Sequence, residues 1–184
     1  MPRKVPSTCD RNDLIVLPDD HVIGPGTAAV TVIAYCDFEC PYCGQAHALI
    51  SRLRTRFADH VRFVYRHFPL LEKHPHAQRA AEASVAAALQ DRFWPMHEVL
   101  FQNQTHLEID DLYLYAAMAG LDVPHFKDDL HVGAGVLKVR RDALSGHRCG
   151  VNETPTFFVN GLLLSENDEL EGTVTRHLSN KKNG

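Results

Sequence analysis

Two buried strands joined by a helix, all within roughly forty residues, restrict the fold of this chain more than any other feature. Val30–Cys36 is an almost continuous apolar run, which is typical of a strand covered on both faces. Apolar residues then recur at helical spacing up to Phe57, and Val61–Phe68 has the character of a second strand. Because a crossover helix leaves its two strands parallel, the pattern predicts an α/β fold.

The remainder of the chain divides into a helical block and a returning hairpin. Five segments with helical periodicity follow Pro69, at 77–89, 94–101, 110–119, from Pro124 onward and 136–147. Thr156–Val159 and Leu162–Leu164 then read as two strands around an Asn160-Gly161 turn. A capping box at Ser165 and Asp168 predicts a final helix. The first 29 residues show no periodicity and predict an irregular arm.

Composition excludes several functional classes. The chain has 184 residues, of which 45% are hydrophobic, and this suffices for one compact core. The net charge is -4 and there is no basic block besides the terminal Lys181-Lys182, so we expect no nucleic-acid partner. No apolar run approaches the roughly 18 residues of a membrane span, so we expect no membrane insertion. Without a visible signal peptide we expect a cytoplasmic protein, or an exported one if a leader was removed.

The five cysteines are too few for a disulfide scaffold and cannot all be paired within one chain. Cys40 and Cys43 stand three residues apart where the first strand gives way to the first helix. The positive end of a helix favours a thiolate at Cys40, which we predict to be an exposed nucleophile with a pKa lowered toward 7 or below. Cys43, one turn into the helix, faces inward and can close a disulfide with Cys40.

Several motifs together give the chain a family resemblance. They are Asp37–Gly44 (D-F-E-C-P-Y-C-G), Arg66–Leu70 (R-H-F-P-L), His74–Ala77 (H-P-H-A), Phe93-Trp94 with Met96-His97, and Thr154–Gly161 (T-P-T-F-F-V-N-G). The sequence resembles the DsbA-like branch of the thioredoxin superfamily, in which a thioredoxin fold carries an inserted helical subdomain. The resemblance implies an arm at 1–21, a thioredoxin-fold domain at 22–70 and 150–179, and a helical subdomain at 71–149.

The resemblance also implies a function, thiol-disulfide exchange with protein or peptide substrates and with an unidentified redox partner. It implies that Pro155 is cis and that Thr154 offers its backbone to the substrate chain. No cofactor is expected besides the Cys40–Cys43 disulfide. Pro41 and Tyr42 tune the redox potential, which we expect to lie between about -270 mV for thioredoxin and about -120 mV for DsbA. Related domains also occur fused to membrane transporters.

Two positions depart from the family pattern. Relatives often carry a buried acid six residues before the first active-site cysteine, where this chain has Ala34. The proton of Cys43 must therefore pass to Glu39 or to water, and we name Glu39 as a candidate proton relay. Cys36 stands where relatives often have a small residue, and we predict that it is buried.

The other thiols and the histidines have simpler interpretations. We predict Cys9 to be a solvent thiol in a mobile arm and Cys149 to be a buried thiol, while a contact between Cys36 and Cys149 stays open. His67, His74 and His76 recur in relatives around the turn after the second strand, and no acid or thiol completes a metal site with them. We therefore expect no bound metal.

Three alternative functions remain open from the sequence. A glutathione-dependent isomerase shares the architecture but typically lacks the second cysteine. A redox-inactive module could use the same fold to bind peptides at Pro155. The remote alternative is a radical S-adenosylmethionine enzyme, because Cys36, Cys40 and Cys43 have the spacing of its iron-sulfur ligands. A structural zinc site is disfavoured because it needs four ligands and the chain has no second C-x-x-C.

Overall fold

The computed structural model describes residues 4–164 and 169–182 as one five-stranded sheet with seven α-helices. The strands are β1 (His21–Ile23), β2 (Val30–Cys36), β3 (Val61–His67), β4 (Thr156–Val159) and β5 (Leu162–Leu163). The helices are α1 (Pro41–Arg56), α2 (Ala77–Ala88), α3 (Phe93–Gln102), α4 (Ile109–Met118), α5 (Val123–His131), α6 (Val136–Arg148) and α7 (Glu169–Lys182). Within these residues no helix has the length and apolar character that crossing a bilayer requires.

The sheet order is β1-β3-β2-β4-β5. Strands β2 and β3 are parallel, as the strand-helix-strand pattern predicts, and the other neighbouring strands are antiparallel. The parallel register pairs Ala34 with Tyr65 and Cys36 with His67. Side chains of paired residues lie on the same face of the sheet, so these four side chains share one face, and that face packs toward α1 and α3.

Helices α2 to α6 lie between β3 and β4 in the chain, where the sequence predicts a helical block. The domain boundaries at 22–70, 71–149 and 150–179 stay a prediction. Helix α2 is buried along most of its length because it is rich in alanine, which lets neighbouring helices approach. A Cβ atom added to Gly135, at the start of α6, would lie 2.7 Å from the carbonyl oxygen of Glu82. Glycine at that position therefore permits close contact between α6 and α2.

The predicted irregular arm is wrong in part, because the segment before β2 is anchored to the domain. Strand β1 pairs with β3, and a short 3-10 helix spans Arg11–Leu14. Cys9 is bonded to Cys149, so neither residue is the free thiol that we predict from the sequence. The burial of Cys149 is confirmed, and the open contact between Cys36 and Cys149 does not form. The pairing joins residues 140 positions apart, which local sequence patterns do not reveal.

A buried ionic cluster fixes this segment against β3 and α6. Arg66 is 2% exposed and its guanidinium contacts the Asp20 carboxylate at 2.9 Å. Lys138 bridges two buried acids, with Nζ 3.3 Å from Asp20 and 2.7 Å from Asp142. Burial raises the pKa of Asp142, although Lys138 opposes this change. Because the cluster joins three segments that are distant in the sequence, it can form only in the folded chain. The predicted capping box at Ser165 and Asp168 lies outside the described residues.

Candidate active site

The first turn of α1 carries the two cysteines of the C-P-Y-C motif. Cys40 is the residue that precedes the helix, with extended backbone angles, and Pro41 occupies the first helical position. Cys43 is fully buried, as we predict from its position one turn into the helix. Its sulfur accepts a hydrogen bond from the backbone N–H of Asp37 at 3.4 Å. Tyr42, between the cysteines, is 64% exposed.

The loop before β4 closes over Cys40. The Thr154–Pro155 peptide bond is cis, as the resemblance implies. The Cys40 Sγ donates a hydrogen bond to the backbone carbonyl of Thr154 at 3.3 Å. Cys40 is consequently only 3% exposed, and the prediction of an exposed sulfur is wrong for this dithiol conformation. The loop from the far end of the chain covers the sulfur, which the local helix-start pattern alone does not indicate.

The same closure affects the acidity of both thiols. A hydrogen bond with Cys43 and burial raise the pKa of the Cys40 thiol, and the contact with Thr154 lowers it by less. Burial raises the pKa of the Cys43 thiol. The predicted lowering of the Cys40 pKa is therefore not found in this conformation. Because burial is one of the causes, separation of the loop from Cys40 would lower the pKa of its thiol.

Asp37 holds the active-site loop together, a role that the sequence analysis missed. Its carboxylate is buried and accepts hydrogen bonds from the backbone N–H of Glu39 at 2.8 Å and of Leu70 at 2.9 Å. The carboxylate also lies 2.7 Å from Nδ1 of His74. These contacts join the segment after β2 to the segment after β3. The H-P-H-A motif thus supports the site through His74. The sequence signal for the role of Asp37 was its place in the D-F-E-C-P-Y-C-G motif, three residues before Cys40.

Glu39, the predicted proton relay, is bound to His76. Its two carboxylate oxygens lie 2.7 Å from the backbone nitrogen and 2.9 Å from Nδ1 of His76. The other ring nitrogen of His76 lies 3.0 Å from Glu108. The hydrogen bond that the Glu39 carboxylate accepts from the His76 ring raises the pKa of His76. Glu39 is thus engaged on the side of α4, and its role toward Cys43 stays a prediction.

Gln104 is a second residue that the sequence analysis missed. Its side-chain amide donates hydrogen bonds to the backbone carbonyls of Phe38 at 2.7 Å and Cys40 at 2.8 Å. The amide reaches these carbonyls because Gly44 has no side chain, and a Cβ atom there would lie 2.1 Å from Oε1 of Gln104. Gly44 directly after the second cysteine was the only sequence signal of this close approach.

Cys36 is buried, as predicted, and faces the same side of β2 as Ala34. A cavity of about 30 Å³ lies between this face and α1 and α3. The residues around it that matter for the chemistry of the site are Ala34, Cys36, Cys43, His47, Tyr65 and His97. Cys43 therefore shares this cavity with the apolar side chain of Ala34 and with the titratable side chains of His47 and Tyr65.

The three histidines weighed as metal ligands, His67, His74 and His76, have different surroundings. His67 is buried with neither ring nitrogen hydrogen-bonded, while His74 and His76 pair with Asp37 and Glu39. Burial lowers the pKa of His67 well below its usual value, so its ring is neutral. In the described part of the chain we interpret these histidines as packing and hydrogen-bonding groups, and we assign no metal or cofactor to them.

The protein was compared with known families, and a model described as Thioredoxin matches residues 17–175. Among curated proteins, the Na(+)/H(+) antiporter NhaA 3 of Salinispora tropica is 46% identical over 152 residues. These residues are 81% of this chain and 23% of the antiporter, so the chain spans about a quarter of that relative.

Solved structures show the same fold. A thioredoxin-like oxidoreductase from Silicibacter pomeroyi superimposes with a TM-score of 0.82 at 27% identity, covering 93% of this chain and 99% of that one. The α-DsbA1 protein of Wolbachia pipientis superimposes with a TM-score of 0.76 at 19% identity, covering 91% and 94%. The fold of this chain, from the sheet to the inserted helices, thus matches a known arrangement.

Proposed function

Because this chain belongs to the thioredoxin family, we propose that it is a DsbA-like member that exchanges disulfides with protein or peptide substrates through Cys40 and Cys43. The single observation that supports this most strongly is the convergence of the cysteine pair and the cis-proline loop. The carbonyl of Thr154 lies 3.3 Å from the sulfur of Cys40, beside the only turn of α1 that can close a disulfide ring.

The exchange proceeds in two balanced steps when the protein acts as an oxidant. A substrate thiolate attacks Cys40 in the Cys40–Cys43 disulfide, so a mixed disulfide forms and Cys43 leaves as a thiolate. A second substrate thiolate then attacks the substrate sulfur of the mixed disulfide, and Cys40 leaves. The substrate has lost two electrons and two protons, and the protein is a dithiol.

The residues around the pair have separate roles in this scheme. Thr154 offers its carbonyl to an extended substrate segment once Cys40 is oxidised and no longer donates to it. The hydrogen bond from the Asp37 backbone supports negative charge on the departing Cys43 sulfur. Pro41 and Tyr42 tune the potential, and Tyr42 is exposed where a substrate would approach. An unidentified redox partner restores the disulfide.

The direction of exchange depends on the cellular compartment, and the Cys9–Cys149 disulfide supports an oxidising one. The expectation of a cytoplasmic protein has no support in the structure. We therefore favour an exported protein that oxidises dithiols, with a potential between those of thioredoxin and DsbA. One structural neighbour is described as a periplasmic thioredoxin-like protein from Salmonella enterica, which supports export.

The proposal is tested by comparing wild-type protein with Cys40→Ala in two assays, oxidation of a reduced model peptide and reduction of insulin. We expect the wild type to be active and Cys40→Ala to be inactive in both. Cys36→Ala tests whether the third free thiol takes part, because its side chain contacts Cys43. Since Cys36 lies outside the pair, this variant should still cycle its Cys40–Cys43 disulfide. Equal activity of wild type and Cys40→Ala would favour the redox-inactive binding module.

A second variant separates disulfide cycling from glutathione-dependent isomerisation. Cys43→Ala cannot close the ring, so we expect it to accumulate mixed disulfides with substrate proteins through Cys40. Mass spectrometry of the trapped species would identify the substrates and the redox partner. Full turnover by Cys43→Ala with glutathione would instead favour the isomerase. Protein that is colourless after anaerobic purification would exclude the iron-sulfur alternative.

A further inference from the structure

The cavity behind Cys43 contains groups that the exchange scheme above does not use. Cys43 and His47 are four residues apart in α1, so their side chains lie on the same face of the helix. Both line the cavity of about 30 Å³, which also borders Ala34. A water molecule needs roughly 10–15 Å³ of such space and two or more polar partners. The cavity, which both residues line, is therefore large enough to hold one water.

His47 is connected to the surface through Glu98 on α3. Its Nε2 lies 3.0 Å from a carboxylate oxygen of Glu98. The His47 side chain is 18% exposed and that of Glu98 is 40% exposed. A carboxylate that accepts from one ring nitrogen leaves the other nitrogen free to accept a proton, and it stabilises the imidazolium that then forms.

Two other polar atoms at the cavity make no hydrogen bond among the described residues, although one of them, Nδ1 of His97, lies 4.0 Å from Glu98. The hydroxyl of Tyr65 and Nδ1 of His97 are buried and make no hydrogen bond. Buried polar groups are rarely left unpaired without a bound water or a functional role. The charged and titratable groups that face His47 are Glu98 and His97 from α3, Arg54 and Cys43 from α1, Cys36 from β2 and Tyr65 from β3.

We infer that His47 is the proton acceptor for Cys43, acting through one water in this cavity, and that Glu98 is its positioning residue. This inference rests on the proposed function. It gives a role to a histidine one turn beyond the C-P-Y-C motif, in a chain that has Ala34 in place of the buried acid of its relatives. Glu39, by contrast, is bound to His76.

The step balances as follows. In a mixed disulfide between Cys40 and a substrate sulfur, the thiol proton of Cys43 passes through the water to His47. The Cys43 thiolate attacks the sulfur of Cys40, the Cys40–Cys43 bond forms, and the substrate leaves as a thiolate carrying two electrons. Burial raises the pKa of Cys43, so without an acceptor this attack is slow at neutral pH.

The test follows single-turnover oxidation of the reduced full-length protein by glutathione disulfide between pH 5 and pH 9. Acid quenching and mass spectrometry measure the lifetime of the Cys40–glutathione mixed disulfide. Loss of a proton acceptor commonly lowers the rate of the step by a factor of about 100 or more. Water can take over part of this role, so we expect His47→Gln to lengthen the lifetime of the mixed disulfide at least about tenfold at pH 7. The difference should shrink toward pH 9, where hydroxide removes the proton.

Glu98→Gln gives a second test at a half-exposed position where misfolding is not expected. Gln lacks the charge that would stabilise an imidazolium at His47, so the plateau rate of resolution should decrease and its pH profile should differ from that of the wild type. His125→Gln is the matched control, because His125 makes a comparable contact with Asp129 at 3.6 Å on the distant α5. It should leave the pH profile unchanged.

Two results would overturn the inference alone. One is a normal Cys40–Cys43 disulfide in His47→Gln, formed with the wild-type lifetime and pH profile. The other is loss of the pH dependence in Glu39→Gln but not in His47→Gln, which would identify Glu39 as the acceptor. Failure of the wild-type protein to form a Cys40–Cys43 disulfide would overturn the proposed function as well. This outcome is distinguishable from failure of the inference alone, in which the wild-type protein still forms the disulfide.

Discussion

Removal of the Cys9–Cys149 disulfide should destabilise the protein strongly. The bond closes a loop of 140 residues. In the chain-entropy model a loop of this length contributes about 5 kcal/mol to the free energy of unfolding, and losses of native disulfides are commonly about 2–5 kcal/mol. Cys9 is only partly buried, so Cys9→Ala creates little cavity and leaves Cys149 as a buried thiol. We therefore expect Cys9→Ala to lose about 3–5 kcal/mol.

Urea unfolding followed by circular dichroism measures this loss. In a Cys40→Ser background, which cannot form the active-site pair, dithiothreitol should lower the unfolding midpoint by nearly the same amount as Cys9→Ala does. In the variant that carries both substitutions, dithiothreitol should have little further effect. An unchanged midpoint in Cys9→Ala, together with no response to dithiothreitol, would refute the reasoning that the bond stabilises the fold and favours an oxidising compartment.

Three further predictions concern the charged groups. Lys138→Met should cost about 3–5 kcal/mol in urea unfolding at pH 7, because the buried carboxylate of Asp142 loses its close cation, while Asp20 keeps Arg66. Since burial raises the pKa of Asp142, the loss should be smaller near pH 4, and an equal loss at both pH values would contradict this. Glu39→Gln should lower the pKa of His76, which lies above its usual 6.5 in the wild type, and an NMR titration measures this change. The stability that the pair contributes is present below pH 6.5 and is lost as the pH rises through the folded-state pKa of His76. An unchanged titration of His76 would exclude the contact. Asp37→Ala should destabilise the protein by about 2–4 kcal/mol, because it leaves buried N–H donors without a partner, and a loss under 1 kcal/mol would contradict that role.

Local patterns predicted the elements that bury a regular face. Strand β2 begins and ends where the apolar run does, and the helical periods identified α2 to α6 within a few residues. Strand β1 was missed because it has only three half-buried residues and depends on pairing with β3. The partner of Cys9 was likewise set by contacts between distant parts of the chain.

The candidate site was predictable in its chemistry and less so in its environment. The motifs identified Cys40, Cys43 and the cis bond at Pro155. The exposure of Cys40 was misjudged because the loop at Thr154 comes from more than a hundred positions away and covers the sulfur. Gln104 and Asp37 act through hydrogen bonds with backbone groups, which leave no periodic signal in a sequence.

The central claim is that Cys40 and Cys43 act as one redox pair. Equilibration of the protein with glutathione buffers, followed by acid quenching, alkylation and peptide mass spectrometry, measures the state of each thiol directly. The account predicts that both sites lose their label together, along a two-electron titration curve with a midpoint between those of thioredoxin and DsbA, while Cys36 stays reduced. Independent labelling of Cys40 and Cys43 across all buffers, or pairing of Cys43 with Cys36, would contradict it.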